Sequence, residues 1–101
     1  MKLTSKQKAK IRKEAQTIKP LFQIGAQEVH TNFIEALRES FNNKEIIKIK
    51  INRADKTDHK ITKEIAGQLA KKIKGAEVAG VVGTTIILFK RNKDKKYQLE
   101  V

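Results

Sequence analysis

The stretch KEIIKIKI, residues 44–51, narrows the possible folds more than any other part of the chain. Ile47, Ile49 and Ile51 alternate with Lys48 and Lys50, the two-residue period of a strand with one wet face. Before it, Phe33, Ile34, Leu37 and Phe41 share one side of a helix. After it, Ile61, Ile65, Leu69 and Ile73 recur every four residues. A strand bracketed by amphipathic helices is joined to its neighbours by crossovers. Such connections imply parallel pairing of the right-handed kind. The pattern predicts an α/β domain.

The flanking elements fit that frame. Thr4 with Gln7 three residues on reads as a capping box. Ile11, Ala15 and Ile18 continue a first helix, which Pro20 predicts to end at Lys19. Leu21 to Ile24 reads as a first strand that stops at Gly25, and Thr31 as the cap of the second helix. Asn42-Asn43 ends that helix, NRADKTD connects onward, and Asp58 is placed to cap the third. Gly67 inside the third helix suggests close packing on the sheet, and Gly75 suits the C′ position. Runs 77–82 and 85–90 form a hairpin through Gly83-Thr84, where glycine first suits a type II′ turn. The expected order is α-β-α-β-α-β-β with a four-stranded mixed sheet. The second and third helices make the crossovers and the first packs alongside. Residues 92–101 form a basic tail or an extra edge strand.

Charge is the informative part of the composition. The 101 residues carry 23 Lys+Arg against 11 Asp+Glu, a net +12. Residues 1–19 hold a net +6 and residues 90–101 a net +3. Basic ends around a nearly balanced middle form an electrostatic footprint for a polyanion. Lys2, Lys6, Lys10 and Lys13 line a face of the first helix away from Ile11, Ala15 and Ile18, with Lys8 and Arg12 beside them. A start without an apolar h-region and the lack of a membrane-length apolar run predict a cytoplasmic protein that contacts no membrane.

Catalysis finds no support in the motifs. His30 and His59 have no ligand-spaced partners and read as surface or capping residues. Cysteine is absent, and neither phosphate-binding glycine signature occurs. The pairs Glu35/Glu39 and Asp55/Asp58 read as solvated surface. No enzyme, metal or cofactor is expected. Phe22, Phe33, Phe41 and Phe89 fall on core positions, leaving only Tyr97 to stack on a base. Nineteen of the 23 basic residues are lysines, which act as point charges. Contact with phosphates and shape, with weak sequence selectivity, is the expected mode.

The ordered features LTSKQKAKIRKEAQ, Pro20, QIG at 23–25, KEIIKIKI and VVGTTIILFKR together resemble the CRM domain (chloroplast RNA splicing and ribosome maturation). Over residues 3 to about 91 the chain is similar to its stand-alone bacterial form, the YhbY family. The resemblance implies a fold like the C-terminal domain of translation initiation factor three. It also implies RNA binding, and association with precursors of the large ribosomal subunit.

The family usually places a G-x-x-G loop after its first strand, often with Lys after the first glycine. Here the loop reads Gly25-Ala26-Gln27-Glu28: the lysine is Ala26 and the second glycine is Glu28. The N–H groups of Ala26 and Gln27 could still meet a phosphate. Gly80 to Gly83 repeats the spacing with apolar middle residues and reads as structural, and Thr84 stands where the family often has Lys.

The expected site is therefore Lys2, Lys6, Lys10, Arg12 and Lys13, the turn Gly25, Ala26, Gln27 and Glu28, and the basic end Lys90 and Arg91. Lys48 and Lys50 join if their sheet face is open, and lie at its edge if the first helix covers it. The expected protein is a monomer bound to ribosomal RNA in large-subunit precursors. The alternatives are a structural ribosomal protein or a general nucleic-acid-binding accessory protein.

Overall fold

Thr4 opens the first helix with both bonds of a capping box. The Gln7 N–H donates to Thr4 Oγ1 at 3.1 Å and the Thr4 N–H to Gln7 Oε1 at 2.9 Å. The computed structural model describes residues 2–25, 29–52 and 59–91. The elements are α1 (Ser5–Ala15), β1 (Phe22–Ile24), α2 (Thr31–Ser40), β2 (Ile46–Ile51), α3 (His59–Lys72), β3 (Ala76–Val82) and β4 (Thr85–Lys90). Their order is the expected one. The cap expected at Asp58 and the tail 92–101 lie outside the described residues.

Two local expectations are corrected. The α-helical part of α1 ends at Ala15, four residues before Lys19. The N–H groups of Gln16, Thr17 and Ile18 bond three residues back, at 3.2, 3.3 and 3.0 Å, so the chain tightens there. That tightening lays Ile18 against the core. In α2 the cap position is His30, with no side-chain cap bond, and Thr31 is the first helical residue.

The four strands lie in the order β1-β2-β4-β3. β1 and β2 are parallel, with Phe22 opposite Ile49. β4 runs antiparallel between β2 and β3, so β3 becomes an edge. Val82 pairs with Thr85, and Gly83 takes φ 61°, a value cheap only for glycine. A bulge between Val78 and Gly80 fits Ala79 in as an extra residue.

Both faces of the sheet are used. On one, Ile47, Ile49 and Ile51 of β2 and Ile86 and Leu88 of β4 pack on Phe33, Ile34 and Leu37 of α2 and on Ile65, Ala66 and Leu69 of α3. On the other, Ile46, Ala79, Ile87 and Phe89 pack on Leu3, Ile11 and Ala15. The lysine face of β2 is therefore only partly wet. Ile46 is buried beneath α1, Lys48 is half-buried and Lys50 is exposed.

Gly67 does not serve close packing, contrary to the expectation from its place in α3. A Cβ built there meets nothing within 4 Å. With the steric reason gone, only the conformational cost of glycine is left. Gly67→Ala should therefore raise stability by about 0.5–1 kcal/mol. Thermal melts check this, and a lowered midpoint would mean that the helix surface is tighter than the geometry indicates.

Candidate nucleic-acid interface

Burial of Ile11 and Ala15 sets the rotation of α1. The side of the helix that cannot reach the sheet carries Lys6, Lys10 and Lys13, all exposed, and Lys2 is exposed just before the cap at Thr4. The backbone N–H of Leu3 donates to Glu77 Oε1 at 2.7 Å, which ties the start of α1 to β3. At its other end, Lys48 Nζ donates to the Ala15 carbonyl at 3.0 Å. A cation on a terminal carbonyl is favourable there because the last carbonyls of a helix lack intrahelical partners. Lys48 thus braces α1 as well as adding charge.

Arg12 departs from the lysine stripe. It is half-buried on the flank facing β3, and its Nη1 donates to the Ala79 carbonyl at 2.9 Å. Its stem lies across Gly80, where an added Cβ would come within 2.4 Å of Arg12 Cδ. The glycine is what admits the arginine.

The remaining expected residues fall at two ends of the sheet. Lys50 is opposite Gln23 of β1 and Thr85 of β4, at the end where β1 runs into Gly25. The Asn52 N–H donates to the Ile24 carbonyl at 2.7 Å, and Gln23 Nε2 donates to Asn52 Oδ1 at 2.9 Å. Lys50 and Gly25 are therefore neighbours. Ala26, Gln27 and Glu28 lie outside the described residues. Lys90 is five residues beyond Thr85 along β4, roughly 17 Å away at the rise of a strand. Arg91 sits at that far end, paired with the buried Glu45 at 3.5 Å and with its guanidinium 5.9 Å from the centre of the Phe89 ring. The structure thus separates Lys90 and Arg91 from Lys50 and Gly25.

A second basic cluster was not singled out from the sequence. Lys8 and Arg12 of α1 and His59 and Lys63 of α3 line a groove of roughly 410 Å³ along Val78, Ala79, Gly80 and Val81. His59 and Lys63 belong to the turn of α3 nearest the hairpin, and His59 Nδ1 donates to the Gly83 carbonyl at 3.0 Å. The four basic residues come from segments some fifty positions apart. Nothing short of knowing that β3 is an edge would have brought them together.

The phenylalanine rings are committed to packing. Phe33, Phe41 and Phe89 are buried, and Phe22 stands edge-on to Phe33 with centroids 5.2 Å apart. Among the described residues no aromatic ring is exposed for stacking. Among them, too, no helix is long and apolar enough to cross a membrane.

The model of the CRS1/YhbY (CRM) domain matches residues 3–90. The chain belongs to this family. It is 31% identical over 99 residues to the "Probable RNA-binding protein YqeI" of Bacillus subtilis (strain 168), covering 98% of each chain. It also superposes on the solution structure of the hypothetical protein SAV1595 from Staphylococcus aureus, for which RNA binding has been suggested. That match has a TM-score of 0.77 and 30% identity, and covers 99% of both chains. This CRM chain shares the overall fold of that neighbour.

Proposed function

We propose that this CRM-family chain is an RNA-binding protein that acts without catalysis on precursors of the large ribosomal subunit. The observation that carries the reading is the sorting of charge from apolar surface on α1. Ile11 and Ala15 are spent on the core, while Lys2, Lys6, Lys10 and Lys13 all face solvent. A lysine stripe with no exposed ring beside it among the described residues suits phosphates and shape more than base edges. The relatives named as RNA-binding proteins support the same class of partner. The protein is proposed to work as a monomer in the cytoplasm, contacting ribosomal RNA through α1, Lys50 and the turn that begins at Gly25.

Sucrose-gradient fractionation of a lysate containing the tagged protein tests this. The expected result is sedimentation with incomplete large-subunit particles and loss from mature ribosomes. Retention on mature subunits would instead mark a structural ribosomal protein. Absence from every ribosomal fraction would remove the assembly reading.

A further inference from the structure

We propose that the groove along the outer edge of β3 is a phosphodiester-binding site of its own, distinct from the α1 lysine stripe. This rests on the RNA-binding reading above and names a place on the molecule where RNA is held by geometry as well as by net charge.

Two walls of unlike origin converge there. Lys8 and Arg12 come from α1 on one face of the sheet, and His59 and Lys63 come from α3 on the other. The floor is the edge strand from Val78 to Val81, and among the described residues that line the groove none is acidic. Basic groups from two layers on either side of a strand edge place positive charge on both flanks of whatever lies along it. That arrangement suits an extended polyanion. It disfavours the usual occupant of an open edge, a strand from a second copy, because that copy would bring the same Lys8, Arg12 and Lys63 and a net +12.

The local architecture serves the cations. Gly80 has no side chain, so the stem of Arg12 crosses β3 and its Nη1 reaches the Ala79 carbonyl. One donor of the guanidinium is thereby fixed, and a guanidinium has four more N–H bonds to offer an anion. His59 is held at Nδ1 by the carbonyl of Gly83. A carbonyl only accepts, so Nδ1 carries the hydrogen of that bond and Nε2 is the nitrogen left over. The hairpin that fixes His59 is also joined to the other side of the sheet. The Ile51 N–H donates to the Thr84 carbonyl at 2.8 Å, and Lys50 lies opposite Thr85. The His59 side of the groove thus shares the hairpin end of the sheet with Lys50, while the floor from Val78 to Val81 runs back from that end opposite Leu88 to Ile86 of β4.

The decisive variant changes no charge. Gly80→Ala puts a methyl where the Arg12 stem lies and forces that flexible side chain off the edge, leaving net charge at +12. Binding of a fluorescein-labelled, mixed-sequence single-stranded RNA is followed by anisotropy at fixed moderate salt, with thermal melts on every variant. Gly80→Ala and Arg12→Ala should each weaken binding about three- to tenfold. Their combination should do no more than Arg12→Ala alone, because both remove one interaction. Lys63→Gln lies on an exposed turn and leaves folding untouched. It should cost a similar factor, and Lys63→Arg should restore the affinity.

If Gly80→Ala and Lys63→Gln bind the RNA as tightly as the unaltered protein, the groove is not a site, and the RNA reading stands on α1. If the unaltered protein itself does not bind the RNA, the RNA reading fails and the groove proposal with it.

Discussion

Reversal of Lys6, Lys10 and Lys13 to Glu is expected to abolish RNA binding at physiological salt while leaving the melting temperature nearly unchanged. The three side chains are exposed on the solvent side of α1, and the change takes net charge from +12 to +6. If the unaltered protein neutralises about six phosphates, its affinity should fall on the order of a thousandfold between roughly 50 and 200 mM salt. Removing one phosphate interaction should flatten the plot of log affinity against log salt by about one unit. Residual binding by the triple variant should therefore be both weak and much less sensitive to salt. Titrations at a series of salt concentrations read both quantities. A triple variant that binds at full strength would move the interface off α1. An unaltered protein whose affinity barely responds to salt would remove phosphate binding as its basis.

Ile11→Ala should show the reverse pattern. Ile11 is fully buried between α1 and the sheet, with Leu3, Ala15, Ile46, Ala79, Ile87 and Phe89 in the same cluster. Truncating a buried Ile to Ala costs about 2–5 kcal/mol, through the transfer energy of the missing methyls and the cavity left behind. For a domain of this size that is roughly 8–40 °C in melting temperature, out of a total stability of about 5–15 kcal/mol. Because the lysines of α1 are untouched, binding by the fraction still folded should be unaltered at low temperature. A drop of only a degree or two would mean that α1 is loosely docked. The spacing of its lysines would then not be set by the sheet.

The order of elements was open to reading because it depends on neighbours in the chain. The capping box at Thr4 and Gln7, the alternation from Ile47 to Ile51 and the turn at Gly83 are local chemistry, and each appears in the structure. The local reading failed where a position had two acceptable states. Thr31 and His30 can each stand at a helix start, and Gly67 can mark either close packing or an open surface. Within the candidate site, the lysine stripe of α1 was legible, since Ile11 and Ala15 mark the buried side and leave the opposite side for charge.

What tertiary structure decided was the place of several other basic residues. Lys48 and Lys50 are equivalent in the pattern of β2. Because α1 crosses the sheet over one of them, Lys48 caps a helix and Lys50 is left exposed. Arg91 looked like part of a basic end until its pairing with buried Glu45 brought it against the domain. Arg12, Lys8, His59 and Lys63 meet only because β4 inserts between β2 and β3 and makes β3 an edge reachable from both layers. Periodicity records which side of an element is apolar, since that depends on residues two to four apart. Which element covers that side, and which strand is left at the margin, depends on packing between residues far apart in the chain, and there the placement of charge was settled.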